Sequence, residues 1–205
     1  MKIYTKTGDQ GETGMLGGVR ISKSSIPIDV SGGLDETNSL LGVVVSQLSR
    51  PLCEQTPTLL SVLEKLYQIQ NDLFDLGSRV SGCLSDSSRP AEFSSARAKD
   101  LEQWIDDMEA DLPPLTAFIL PGGSPAGSFL HQARAVCRRT ERGLVTLVTA
   151  DLKWPDSSEP GEKLSTELVY LNRLSDLLFV MARYVNHQMD CEESQWLPTR
   201  GNGPA

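Results

Sequence analysis

Apolar residues recur at helical spacing through most of this chain. Leu34, Leu41, Val44, Val45 and Leu48 mark one face of a first helix expected over 34–48. Leu59, Val62, Leu63, Leu66, Ile69, Leu73 and Leu76 form a period-3.6 stripe that predicts a second over 58–80. Pro57 stands near its start, where a missing N–H costs nothing. A third helix is expected over 95–109, carrying Leu101, Trp104, Ile105 and Met108 and ended by Pro113 and Pro114. Leu130, Ala133, Cys137, Leu144 and Val148 predict a fourth over 126–150. Leu164, Leu168, Leu171, Leu178, Ala182 and Val185 predict a fifth over 162–187. Residues 81–95 and the stretch DLKWPDSSEPGE read as loop and connector, and residues 190–205 as a frayed tail.

The first 33 residues break this pattern: a strand-like KIYT leads into TKTGDQGETGMLGG, a loop rich in Gly, Thr and Asp. No internal repeat is present. Long amphipathic helices with little strand signal predict an all-α bundle. The expected organisation is a single domain over 1–205, with an N-terminal loop at 1–33, a helical bundle at 34–187 and a tail at 188–205.

Composition narrows the functions open to such a bundle. A chain of 205 residues can bury a sizeable core. Its net charge of -8 argues against general nucleic-acid binding and against adhesion to anionic membranes. Cys53, Cys83, Cys137 and Cys191 are widely spread, which favours free thiols over a disulfide framework or a zinc site. No apolar run reaches membrane-spanning length, and MKIYTKTGD has no signal-peptide pattern, so a cytoplasmic protein is expected.

Candidate chemistry lies in three places. In the glycine-rich loop, Thr5, Lys6, Thr7, Gly8, Asp9, Gly11 and Thr13 gather backbone donors, hydroxyls and an ammonium, with Lys23 as a second cation. Such a set suits a polyphosphate, although turn residues alone would explain the loop equally well. On the fourth helix, Arg134, Arg138, Arg139 and Arg142 fall within nine residues, beside Glu141. Exposed ion pairs, such as Arg138 with Glu141, would account for one or two of them. Arg134 and Arg138 flank the apolar stripe and fit an anion site or an interface ion pair better. On the fifth helix, Asn172 could pair within the bundle or read a base or ribose, whereas Ser175 and Asp176 are expected to bond between helices. His131 and His187 are the only histidines and match neither a catalytic triad nor a di-iron site.

Taken in order, YTKTGDQGETGMLGG, GGLDETNSLLG, FILPGGSPAGSFLHQARAVCRRTER and YLNRLSDLLFVMAR resemble the motif blocks of the PduO-type corrinoid adenosyltransferases, over nearly the whole chain. The resemblance implies a five-helix bundle in a ferritin-like up-down arrangement with an N-terminal ATP loop. It implies a homotrimer with active sites between subunits. The implied reaction moves the 5′-deoxyadenosyl group of ATP to cob(I)alamin, giving adenosylcobalamin and triphosphate. Cobalt(I) is itself the nucleophile, so no general base is required. Carried over by position, Thr5, Lys6, Thr7, Gly8, Asp9, Gly11, Thr13, Gly14 and Lys23 would hold the triphosphate. Arg138, Arg139, Glu141, Arg142 and Asn172 would complete the nucleotide site. Arg138, Arg134, Asp35 and Phe118 form the implied catalytic set, with Asp35 and Arg134 as an intersubunit salt bridge and Phe118 beneath the corrin ring. ATP, Mg²⁺ and cobalamin are the implied cofactors and substrates, with K⁺ a further candidate. No side-chain metal site is assigned, Mg²⁺ coming with the ATP phosphates. A reductase and an adenosylcobalamin-dependent enzyme are the implied protein partners.

The chain departs from the family pattern before the acidic turn. IPIDVSGGLDE stands where an arginine and an AYG-like segment are usual, with Pro27 near the arginine and Ser31 near the tyrosine, and DELNS has become DETNS. A non-catalytic ATP or corrinoid carrier is the competing reading that this segment favours. A purely structural bundle is a third, and it predicts no stabilisation by ATP.

Overall fold

The computed structural model describes residues 2–48, 56–82, 92–150 and 165–197. A short hairpin, β1 (Glu12–Gly14) and β2 (Arg20–Ser22), precedes α1 (Ile26–Gln47), α2 (Pro57–Gly82), α3 (Ala96–Glu109), α4 (Pro125–Thr149) and α5 (Ser165–Gln188). The described part is thus mostly helical, with five helices, as the apolar periodicity predicts. No described helix is long and apolar enough to cross a membrane.

Side-chain pairs give the helix directions. Gly33 lies against Thr140 and Gly143 against Val30, so α1 and α4 run antiparallel. Asn38 and Gln70 each donate a side-chain amide to the other's carbonyl, at 3.1 and 3.2 Å, across α1 and α2. Asp72 meets Tyr170 and Arg79 meets Glu167, so α2 and α5 are antiparallel. α1, α2, α5 and α4 therefore form a four-helix ring, and α3 packs outside it on α5. Directions alternate along the chain, the up-down arrangement. Leu41, Leu66, Ile69, Leu76, Leu130, Leu144, Leu174 and Leu178 are wholly buried at its centre.

Polar groups inside the bundle are paired. The Asp72 carboxylate accepts from the Tyr170 hydroxyl at 2.9 Å and from Arg97 of α3 at 2.9 Å, and the other arm of Arg97 reaches Asp75 at 2.7 Å. Burial raises the Asp72 pKa, while the Tyr170 hydrogen bond and the Arg97 charge oppose that shift. Glu167, 1% exposed, is held by Arg79 at 2.6 Å. Lone buried charges would be far more costly. Of the cysteines, Cys137 and Cys191 are free, the first buried with a thiol that burial pushes well up; Cys53 and Cys83 lie outside the described residues.

The structure corrects several expectations. α1 begins at Ile26, not Leu34. Ser25 is extended at its N-cap and Pro27 occupies the first turn, where a fixed φ favours helix. Gly32 and Gly33 hid this start, because glycine weakens a helical pattern; tertiary packing overrides it. KIYT forms no strand: Ile3 is 99% exposed, and pairing begins only at Glu12. The tail is not frayed along its described length, since Trp196 N–H donates to Phe118 and Leu120 N–H to Ser194, both at 2.7 Å. The expected start of the fifth helix, the connector DLKWPDSSEPGE and most of the 81–95 loop lie outside the described residues.

A Cβ on Gly33 would come 2.3 Å from the Thr140 hydroxyl, whereas one on Gly32 meets nothing within 4 Å. Gly33→Leu is therefore expected to lower the unfolding free energy by about 1–3 kcal/mol. Gly32→Ala is expected to raise it by up to about 1 kcal/mol. Urea titration of both variants checks the contrast, and equal responses would remove the α1–α4 crossing as its cause.

Candidate functional site

The N-terminal loop curls on itself and on the hairpin. Gly11 N–H donates to Gly8 C=O at 3.2 Å, and Lys23 N–H to Gly11 C=O at 2.8 Å. Gly11 sits at φ 85°, a conformation that favours glycine. Lys6 adopts φ 60°, uncommon for a residue with a side chain. The Thr5 and Thr7 hydroxyls are 2.9 Å apart, and Arg20 of β2 donates to the Thr7 carbonyl at 2.8 Å. A Cβ on Gly8 would lie 3.1 Å from the Lys23 ammonium, so absence of a side chain admits that cation to the loop. Thr5, Lys6, Thr7, Asp9, Gly11 and Gly14 are exposed, and Gly8 and Thr13 half-buried.

From this loop the site continues onto the bundle. A cavity of about 410 Å³ is lined by Lys23, Asp29, Gly32, Gly33, Glu36, Arg139, Thr140 and Gly143, among others. The fold thus joins the basic end of the loop to the arginine helix. Arg139 pairs with Glu36 across α1 and α4. Arg138 and Arg142 are exposed, and Arg142 donates to the Arg138 carbonyl at 3.0 Å. Glu141 pairs with neither arginine; it accepts from Asn172 of α5 at 3.0 Å. The exposed pair Arg138–Glu141 considered from sequence is therefore absent. Asn172 also accepts from Arg173 at 2.7 Å, and Arg173 holds Glu102 of α3 at 2.6 Å. Ser175 bonds within its own helix, to the Asn172 carbonyl, and Asp176 is exposed, contrary to the inter-helix bonds expected of both.

Two elements stand apart from this cavity. Arg134 lies one turn from Arg138, about 6 Å along α4. Its Nε is buried and has no partner among the described residues. The guanidinium sits 6.0 Å from the Phe179 ring, beside His131, whose Nδ1 is likewise unpartnered. Asp35 is exposed and forms no salt bridge with Arg134 among the described residues. Phe118, 77% exposed, stands in the loop before α4. That loop is fixed by Asn186 of α5, 1% exposed. Its amide donates to Gly122 C=O at 2.9 Å and accepts from the Ser124 N–H at 2.9 Å and hydroxyl at 2.8 Å. Gly123 and Gly127 leave it room, for a Cβ on either would fall within 2.5 Å of the Asn186 amide. Ser124 then caps α4, accepting from Gly127 N–H at 3.0 Å. Sequence reasoning missed Glu36, Arg20 and Asn186. For Asn186 the only available signal was a polar residue on the buried stripe of α5.

Fold and site define a helical bundle whose cationic N-terminal loop opens onto an arginine-bearing helix. A family model described as cobalamin adenosyltransferase matches residues 3–185. A corrinoid adenosyltransferase of Mycobacterium leprae is 40% identical over 190 residues, covering 90% of this chain and 91% of the relative. One from Bacillus subtilis is 39% identical over 186 residues, covering 91% and 87%. Among solved structures, a phenylalanine-to-alanine variant of a PduO-type ATP:corrinoid adenosyltransferase from Lactobacillus reuteri, complexed with cobalamin and ATP, matches with a TM-score of 0.81 and 30% identity, over 95% of this chain and 99% of that one. The chain belongs to the cobalamin adenosyltransferase family.

Burial, and secondarily the Arg134 charge, lowers the His131 pKa from its ordinary 6.5, with Glu193 opposing. The unfolded chain then binds a proton at this residue before the folded one does, so stability at this residue falls as pH drops below the unfolded value. His131→Gln is expected to flatten that fall between about pH 7.5 and pH 5.5, read by urea unfolding at each pH. A slope unchanged by the substitution would assign the acid sensitivity elsewhere.

Proposed function

We propose that this protein is an ATP:corrinoid adenosyltransferase, transferring the 5′-deoxyadenosyl group of ATP to cob(I)alamin. The observation that carries this reading is the cavity shared by Lys23 of the loop and Arg139 of α4. The triphosphate lies along the N-terminal loop, held by Lys6, Lys23 and the Thr5, Thr7 and Thr13 hydroxyls. Gly8, Gly11 and Gly14 let backbone N–H groups approach it, and Asp9 borders it. Arg138, Arg139 and Arg142 complete the nucleotide site with Glu141 and Asn172, which are already bonded to each other.

Cobalt(I) attacks C5′ of ATP; the cobalt–carbon bond forms as the C5′–O bond breaks, and the electron pair leaves with triphosphate. The protein positions the two substrates and stabilises charge on the departing oxygen, tasks for lysine, arginine and backbone dipoles. Mg²⁺ bound to the triphosphate supplies further neutralisation, and K⁺ is a candidate for the same role. Corrin packs over Phe118, whose exposed ring offers an apolar face.

The active assembly is a homotrimer with sites between subunits. Supporting this, Arg134 forms no salt bridge among the described residues and is only half-buried, so its guanidinium can meet a carboxylate from a second copy, Asp35. The altered segment before Asp35 does not favour a carrier: Pro27 and Ser31 sit in an intact first turn and a half of α1, with the Ser31 hydroxyl donating to Pro27 C=O at 2.8 Å. The protein acts in the cytoplasm, receiving cobalamin from a reductase and supplying an adenosylcobalamin-dependent enzyme.

The test is an anaerobic assay with ATP, Mg²⁺ and chemically reduced cobalamin, following the cobalt(I) spectrum and identifying products. Formation of adenosylcobalamin and triphosphate is expected; ATP binding with a persistent cobalt(I) signal would point to the carrier instead. Arg138→Ala is expected to cut turnover by about 10²-fold or more with the fold intact by circular dichroism. Asp35→Asn is expected to weaken trimer assembly in sedimentation and to impair corrinoid use. Unchanged mass and kinetics would remove Asp35 from the interface.

A further inference from the structure

The N-terminal loop turns several of its carbonyls toward its own chain. Gly8 C=O accepts from Gly11 N–H at 3.2 Å, and Gly11 C=O from Lys23 N–H at 2.8 Å, both backbone to backbone. The Thr7 carbonyl differs, because its donor is a side chain: Nη2 of Arg20 on β2, at 2.8 Å. Nε of the same guanidinium meets the Glu12 carboxylate of β1 at 3.3 Å. One planar fork thus ties the loop to both strands of the hairpin.

A trans peptide is planar, so its C=O and its N–H point in opposite directions. With the Thr7 carbonyl turned to Arg20, the Gly8 N–H faces away from it. Among the described residues that N–H has no hydrogen-bond partner. The Lys23 ammonium lies beside the same residue, 3.1 Å from where a Gly8 Cβ would stand. This orientation needs holding. Glycine adopts either sign of φ, so the Thr7–Gly8 peptide can turn over at small cost and offer a carbonyl where it now offers a donor. Stability gives Arg20 little reason for its place. Its side chain is 44% exposed and that of Glu12 59%, and ion pairs so exposed contribute little.

We propose that Arg20 is a positioning residue for the triphosphate: it fixes the Thr7–Gly8 peptide so that the Gly8 N–H and the Lys23 ammonium meet one phosphate group. The inference rests on the placement of the triphosphate along this loop made above. Arg20 acts through the loop and not on the phosphate, since its Nε and Nη2 are engaged by Glu12 and the Thr7 carbonyl. The Glu12 carboxylate offsets the guanidinium charge and keeps it at the carbonyl when an anion arrives. A donor oriented beforehand costs no reorganisation on binding. Arginine suits the task because its rigid fork sets two partners at a fixed spacing, which a lysine ammonium on a flexible stem does not.

Calorimetric titration with inorganic tripolyphosphate and with MgATP, joined to NMR spectra of protein labelled at glycine with ¹⁵N, tests the proposal without requiring turnover. Arg20→Ala is expected to weaken both ligands about tenfold, with an unchanged midpoint in urea. In the unsubstituted protein tripolyphosphate should shift the Gly8 amide resonance, which is identified by its loss in Gly8→Ala. In Arg20→Ala that shift should vanish even at saturation. Arg20→Lys, which keeps the charge but not the fork, should recover affinity only in part. Full recovery by lysine, or a Gly8 shift that persists in Arg20→Ala or is absent from the unsubstituted protein, would overturn the positioning role. Lys6→Ala serves as the reference. Weakening by Lys6→Ala but not by Arg20→Ala would overturn the role of Arg20 and leave the loop assignment standing. No effect of either variant, with no loop glycine moved by tripolyphosphate, would overturn both.

Discussion

The close crossing of α1 and α4 sets the position of everything else in this site. Gly33 brings the α1 backbone against Thr140, and Gly143 brings α4 against Val30. At that separation β2, which ends just before α1, delivers Lys23 to the face of α4 that carries Arg139. A side chain at Gly33 would push the two helices apart and widen the gap between Lys23 and Arg139. Electrostatic stabilisation depends on donors held in place before charge develops, because a group that must move to reach the charge spends part of its interaction on moving.

Asn186 has a comparable function at the opposite end of α4. A buried primary amide has donors and an acceptor to satisfy, and here Gly122 accepts from the Asn186 amide while Ser124 donates twice to its oxygen. The result is a loop of fixed shape with an aromatic residue standing out from it. Contiguous exposed apolar side chains mark binding surfaces more than single ones do, and here Leu120 stands exposed beside Phe118. The helix between the two ends, α4, carries Arg134, Arg138 and Arg142 at one-turn intervals, so the cationic and apolar parts of the site share one rigid ruler.

The opposite side of the bundle has a different task. Asp72, Tyr170, Arg97 and Asp75 tie α2, α5 and α3 together, and Arg79 with Glu167 adds a second tie. Buried pairs of this kind contribute more to register than to net stability, since desolvation offsets much of their attraction. They hold α5 in the register that presents Asn172 to Glu141 and Asn186 to the Phe118 loop.

The apolar stripes determined the helices by themselves, because burying one face at a 3.6 period leaves few other conformations for such segments. α2, α3 and α4 begin and end within about two residues of where periodicity puts them, as is usual for helix ends. The clustering of glycine, threonine and lysine before α1 and of arginine on α4 was equally legible, since residue type alone states which groups can neutralise an anion. That these two clusters meet was not, because Lys23 and Arg139 are distant in sequence and only the α1–α4 crossing joins them. The first two turns of α1 were hidden by glycines whose helical cost is outweighed by packing that no local pattern records. Trp196 was lost in a tail read as frayed, and Asn186 on a stripe read as apolar. Their placement comes from backbone partners in the Phe118 loop, and such long-range hydrogen bonds leave no trace in periodicity or composition. Tertiary structure alone decides which distant donor meets which acceptor.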